Sequence, residues 1–112
     1  MKRVEVRRNG KPLLVAQKVE GFEKIMGIMF QKKFEPLLFE FEFPAKMANS
    51  IHSLFCTEFE AVFLDKGKKI TEIKTVKPFS FVCPKDDIKF LLELPAGTVK
   101  KISLKEGEAL NF

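Results

Sequence analysis

Phe59–Val76, FEAVFLDKGKKITEIKTV, is the stretch on which the fold class turns. An apolar run from Phe59 to Leu64 meets the polar turn Asp65-Lys66-Gly67-Lys68. A second run, Ile70 to Val76, follows, with Ile70 and Ile73 in imperfect alternation. Two β-prone runs joined by a short Asp- and Gly-bearing break predict a hairpin.

Working outward, the same period of two recurs upstream. Leu37, Phe39, Phe41 and Phe43 fall on one side of an extended chain and Glu40 and Glu42 on the other, which predicts a half-buried strand ended by Pro44. The loop Pro44–Asn49 then leads into a strand over Ile51–Phe55. At the N-terminus Val4 and Val6 alternate with charges, Asn9-Gly10 is a strong two-residue turn, and Leu13, Val15 and Val19 supply the return strand. Phe22, Ile25, Met26 and Met29 recur at i, i+3, i+4 and i+7, the spacing of one apolar helical face, despite Gly27 within it. Downstream, Pro78, Pro84 and Pro95 bracket a short strand, PFSFVC, and a longer one, IKFLLEL, whose apolar run fits a strand covered on both faces. The remainder, GTVKKISLKEGEALNF, predicts a helical turn over Val99 and Ile102, a turn at Gly107 and a last strand from Leu110 to Phe112. Eight or nine short strands with little helix give a mainly β fold. The expectation is one domain over residues 1–112, a single compact antiparallel β-barrel or two-layer sandwich with one or two short helices.

Composition narrows the function classes. A chain of 112 residues, 46% hydrophobic, buries roughly two thirds of its unfolded surface and needs no metal or disulfide to fold. All aromatic rings come from thirteen Phe, so buried aromatic area brings no hydroxyl or indole N–H to satisfy. The net charge is +5, yet the only arginines are Arg3, Arg7 and Arg8. Proteins that read bases or grip phosphate bidentately favour Arg, so the Lys excess argues for a solvated surface, as does the Lys and Glu enrichment of thermophile-like composition. MKRVEVRRNG lacks the apolar core of a secretory signal, and no apolar run approaches the ~20 residues of a spanning helix. A soluble, cytoplasmic protein without a membrane partner is expected. Cys56 and Cys83 lie in different apolar segments without CxxC spacing and read as buried thiols, with a disulfide as the alternative if the source is a hyperthermophile.

Gly27-Ile28-Met29-Phe30, Ser50-Ile51-His52 with Leu54-Phe55, Ala61-Val62-Phe63-Leu64-Asp65, Lys77-Pro78-Phe79 and Leu92-Glu93-Leu94-Pro95-Ala96-Gly97 occur in an order that resembles the domain of unknown function 192 family. The resemblance covers about residues 13–112 and implies a small β-rich fold without implying an activity. Where the family usually carries Pro, an apolar residue and Asp before VFLD, this chain has Glu58-Phe59-Glu60. Lys105-Glu106-Gly107-Glu108 stands where a Gly-Asp turn is common.

Few constellations carry chemistry. His52 is the sole histidine, and along an unbroken strand Cys56 would lie about 13 Å from it, so no metal site is expected. Glu58 and Glu60 share one face at about 7 Å and could join His52 and Asp65 in acid–base work, although an ordinary solvated face has the same pattern. No GxSxG, GxGxxG or P-loop is present, and no cofactor is expected. Lys66, Lys68 and Lys69, with Lys74, Lys77, Phe79 and Phe81, imitate a single-strand platform, although the prolines favour a core position for those rings. The reading is a non-enzymatic binding module for a small ligand or protein partner, monomeric or homodimeric. Its expected ligand site is a corner formed by Asn49, His52, Glu60, Pro95 and Gly97. The alternatives are a hydrolase-like enzyme using Glu60 and His52, and a single-stranded nucleic-acid binder using Lys66, Lys68 and Lys69.

Overall fold

The computed structural model describes residues 2–19, 34–53 and 56–112, the side chains of Ala48 and His52 aside. Strands β1 (Lys2–Arg8) and β2 (Lys11–Lys18) form the N-terminal hairpin, its turn using positive φ at Asn9 and Gly10. Then come β3 (Leu37–Ala45), a 3-10 turn (Met47–Asn49), β4 (Ile51–His52), β5 (Phe59–Leu64), β6 (Ile70–Val76), β7 (Phe81–Val82), β8 (Ile88–Pro95) and α1 (Thr98–Ile102). The predicted helix over Phe22–Met29, Gly27-Ile28-Met29-Phe30 and Leu54-Phe55 fall outside the described residues.

Six strands make one curled sheet in the order β1-β2-β3-β8-β5-β6, a half-barrel, while β4 and β7 form a separate two-stranded ladder. The deciding stretch folds as its pattern demands: β5 and β6 pair antiparallel from Phe59 opposite Val76 to Leu64 opposite Ile70. β8 lies between β3 and β5 and runs antiparallel to both. Its continuous apolar run follows from that position, because Ile88 to Leu94 are buried on both faces apart from half-buried Lys89.

The two faces feed two apolar layers. One is the half-barrel interior, where Val6, Ala16, Leu38, Val62, Leu64, Phe90, Leu92 and Leu94 meet Leu104 and Leu110 of the C-terminal segment. The other, on the opposite face, collects Leu37, Phe39, Phe59, Ala61, Phe63 and Leu91 beneath Val82 and Cys56. Val62 and Phe63, adjacent in sequence, therefore serve different layers, as a period of two requires.

Several expectations need correction. The sheet is mixed, since β2 and β3 meet in parallel at Gln17–Leu37 and Lys18–Leu38. β3 is buried on both faces at Leu37, Leu38 and Phe39, whereas Phe43 is exposed. It also continues past Pro44 to Ala45, because the register with β8 shifts between Glu40 and Ala45 and the irregularity accommodates a residue with no N–H. PFSFVC shrinks to two strand residues, and Phe79 and Phe81, 67% and 76% exposed, are not core rings. Cys83 is exposed, and only Cys56 is buried.

The last strand is replaced by a C-terminal segment that touches both sheet edges through single bridges, Arg7 to Asn111 and Lys69 to Ala109. Arg7 and Asn111 exchange both backbone hydrogen bonds, and Ile70 at the start of β6 bonds to Glu108 and Gly107. This segment spans the gap that a fully closed barrel would fill with a strand. Among the described residues no helix is long and apolar enough to cross a membrane.

Candidate functional site

The expected corner does not assemble as one place. Glu60, Pro95 and Gly97 do converge where β8 turns into α1: Glu60 lies opposite Leu94, its Oε1 accepts the Val99 N–H at 2.8 Å, and Gly97 takes a positive φ of 92° to start the helix. Asn49 sits at the other end of β8, where its Nδ2 donates to the carbonyls of Phe43 and Ile88. Ile88 and Pro95 are the two ends of an eight-residue strand, so Asn49 and Gly97 are separated by roughly 23 Å. His52 pairs with Phe81 in the β4–β7 ladder. Glu58 is engaged apart from Glu60, with Lys77 at 3.6 Å, and Asp65 Oδ1 accepts the N–H groups of Gly67 and Lys69 to fix the β5–β6 turn.

The Lys66–Lys69 turn and the Phe79 and Phe81 rings are likewise parted. They lie beyond opposite ends of β6, a strand roughly 20 Å long. Phe81 therefore does not stand beside Lys66, Lys68 and Lys69 in one platform.

Two features that the sequence reading passed over carry more chemistry. The first is Glu93, 6% exposed, which lies opposite Leu37 and Ala61 on the face of the second apolar layer. Its Oε1 has no hydrogen-bond partner, and burial pushes its pKa up to about 8. Cys56 shares this layer; burial, and then the Glu93 carboxyl, push its thiol up to about 11. Neither group is activated as a nucleophile or base at neutral pH. A lone acid inside a run read as covered on both faces was the available signal for Glu93.

The second is a cleft of about 440 Å³ near the end of β8 opposite to α1. Its apolar walls are Val4, Leu38, Phe90 and Phe112, all part of the half-barrel interior. Its polar rim is Lys2, Arg3, Lys18, Glu40 and Lys68. Glu40 is the one side-chain carboxylate in its described lining, and it is matched by Lys18 at 3.0 Å and Lys89 at 3.6 Å. The hydrogen bond from Lys18, with the charges of Lys18 and Lys89, holds its carboxyl below the usual range against the opposing effect of burial. Arg3 reaches Glu35 at 3.5 Å across an exposed gap, a contact too solvated to neutralise it.

Lys68 enters the cleft from the β5–β6 turn. Its Nζ donates to the Phe112 carbonyl at 2.6 Å and lies 4.4 Å from the Phe112 ring centre and 5.9 Å from that of Phe90. The two rings meet edge to face, 5.0 Å apart at 86°. Residues 2, 3, 18 and 68 share no spacing that a motif search would find. The curl of the sheet alone gathers them. Among the described residues no three His, Cys, Asp or Glu side chains converge as a metal site requires.

One family model, DUF192, described as an uncharacterised group, matches residues 4–112. The chain belongs to the DUF192 family. The match reaches further into the N-terminal hairpin than the sequence resemblance did. A UPF0127 protein of Pyrococcus furiosus is 29% identical over 91 residues, 80% of this chain and 78% of that one. A Pyrococcus horikoshii UPF0127 protein is 26% identical over the same length, covering 80% and 79%. Two solved structures share the fold of this chain. A Sinorhizobium meliloti 1021 protein, described as a candidate transcription regulator, superposes with a TM-score of 0.82 at 21% identity, covering 97% of this chain and 91% of its own. A Novosphingobium aromaticivorans protein of unknown function gives 0.79 at 15%, covering 98% and 84%.

Proposed function

We propose that this DUF192 domain is a non-enzymatic binding module that takes a small anionic ligand in the cleft rimmed by Lys2, Arg3, Lys18 and Lys68. The observation that carries this reading is the excess of cationic over anionic side chains in the lining of the cleft: Lys2, Arg3, Lys18 and Lys68 against Glu40, which Lys18 and Lys89 already match. An apolar floor under a few converging charged groups is the usual form of a small-molecule site, and 440 Å³ lies within the usual size range. The low-dielectric floor strengthens the pull of the rim on an anion. Catalysis has less support, because Glu60 is occupied in holding α1 and Cys56 and Glu93 are driven toward their neutral forms.

Titration with inorganic pyrophosphate, followed by amide chemical shifts, tests the reading. Shifts should concentrate at residues 2–4, 18, 38–40 and 68, and replacing Lys2 and Lys18 together by Met should weaken binding about tenfold, the loss expected for charge-assisted hydrogen bonds to a desolvated anion. Equal affinity in the double variant, or shifts scattered over all surface lysines, would rule the cleft out.

A further inference from the structure

We infer that the ligand of this cleft carries a flat ring beside its anionic group, the chemistry of a nucleoside monophosphate, and that Lys68 is the residue that moves to admit it. The inference rests on the anion reading of the cleft and adds the identity of the second half of the ligand. Three observations meet at Lys68.

The first is that the cleft has an aromatic end as well as a cationic one. Phe90 and Phe112 both line it, and their rings meet edge to face. The second is that the Phe112 ring already serves as a binding surface, with the Lys68 ammonium 4.4 Å from its centre. A ring that accepts a cation from the cleft side offers the same side to a planar heterocycle.

The third is the backbone of Lys68. It holds φ at 65°, a left-handed conformation that any residue with a Cβ adopts at a cost, although the neighbouring Gly67 could have filled such a position freely. The turn around it is fixed by Asp65, whose carbonyl accepts the Lys68 N–H, while the Lys68 carbonyl accepts from Leu110. The pinned turn fixes the direction in which the Lys68 side chain leaves the backbone. That side chain lies over Phe112 and bonds to its main-chain oxygen. When a base stacks on Phe112, the ammonium exchanges its cation–π contact and its hydrogen bond to the Phe112 main-chain oxygen for the phosphate, whose full charge and several acceptor oxygens repay both. Lys2, Arg3 and Lys18 complete the phosphate end.

The experiment is calorimetric titration with AMP, ribose 5-phosphate and adenosine, on the wild-type protein and on Phe112→Leu. AMP should bind about tenfold or more tightly than ribose 5-phosphate, the gain expected for one stacked base, and adenosine more weakly than AMP. Phe112→Leu should remove the gap by weakening AMP alone. Because Phe112 also packs in the interior, the adenine H2 and H8 resonances are followed on the wild-type protein in parallel, where upfield shifts from a Phe ring support stacking and unshifted resonances overturn it. Equal affinity for AMP and ribose 5-phosphate, both bound, would overturn the ring inference and leave the anion cleft standing. Failure of both phosphates to bind would remove the cleft reading, and this inference with it. A short oligoadenylate separates the two sources of the same chemistry. Much tighter, steeply salt-dependent binding places the nucleotide within a single strand, and binding no tighter than AMP places it free in solution; either supports the inference if it depends on Phe112.

Discussion

A carboxyl group 6% exposed, with one oxygen lacking any hydrogen bond and with Leu37 and Ala61 beside it, gives up its proton only against the cost of burying a charge. The folded protein holds the Glu93 proton up to about pH 8, whereas an unfolded chain releases it near the ordinary value of 4.5. Between those values the folded state binds more protons than the unfolded one, so the stability contributed by this group is whole below pH 4.5, falls as pH rises and is lost by about pH 8. The slope is about 1.4 kcal/mol per pH unit for a single group. Urea unfolding at pH 5 and pH 8 should show this loss in the wild-type protein, and Glu93→Gln should lose correspondingly less over the same interval. An identical pH dependence in both proteins would contradict the burial of a neutral acid. The position was legible in part. IKFLLEL announced a strand covered on both faces, and an acid within it was bound to be buried; what stayed hidden was whether a partner awaited it, because partners come from segments distant in sequence.

Five residues are too few to hold a helix by themselves, so α1 depends on what grips its two ends. At its start the Glu60 carboxylate accepts the Val99 N–H. Beyond its end Arg8 donates to the carbonyls of Ile102 and Ser103 and, through Nε and Nη2, to both oxygens of Glu108. Burial raises the Glu108 pKa, but the Arg8 hydrogen bonds, the Lys105 N–H and both positive charges outweigh it and hold the carboxyl below the usual range. Arg8→Met should therefore destabilise the domain by about 2 kcal/mol, read from urea midpoints, and Arg8→Lys should recover little of it because an ammonium lacks the planar fork. A change within experimental error would make the network a surface ornament. The helix itself was readable from Val99 and Ile102, yet its clamp was not: Arg8 and Glu108 are a hundred positions apart. The same distinction explains β3. Alternation of Phe and Glu gave the strand, while the cover over Leu38 and the exposure of Phe43 came from which strands happened to lie across it.

On the scale of the whole molecule, hairpins declared themselves through turn residues such as Asn9-Gly10 and Asp65–Lys68, whereas strand order did not, since β8 reaches its central place only through long-range pairing. The cleft was invisible for the same reason, being assembled by curl from β1, β2, β3, β8, the β5–β6 turn and Phe112. The C-terminal segment covers β1 at Arg7 and the start of β6 at Ile70, so removing residues 107–112 should leave both edges open to pairing with other chains. Light scattering during size exclusion should then find concentration-dependent association beyond that of the full chain. An unchanged mass would show that the edges are protected by other means. The Arg7–Asn111 bridge also sets a timetable. A chain emerging from the ribosome can form its first hairpin early, but the edge of that hairpin at Arg7 stays unpaired until Asn111 has been made, and the Phe112 wall of the cleft follows it. The cations of the cleft are thus made before the ring that walls it, and a translation product halted short of Phe112 would carry them without that ring.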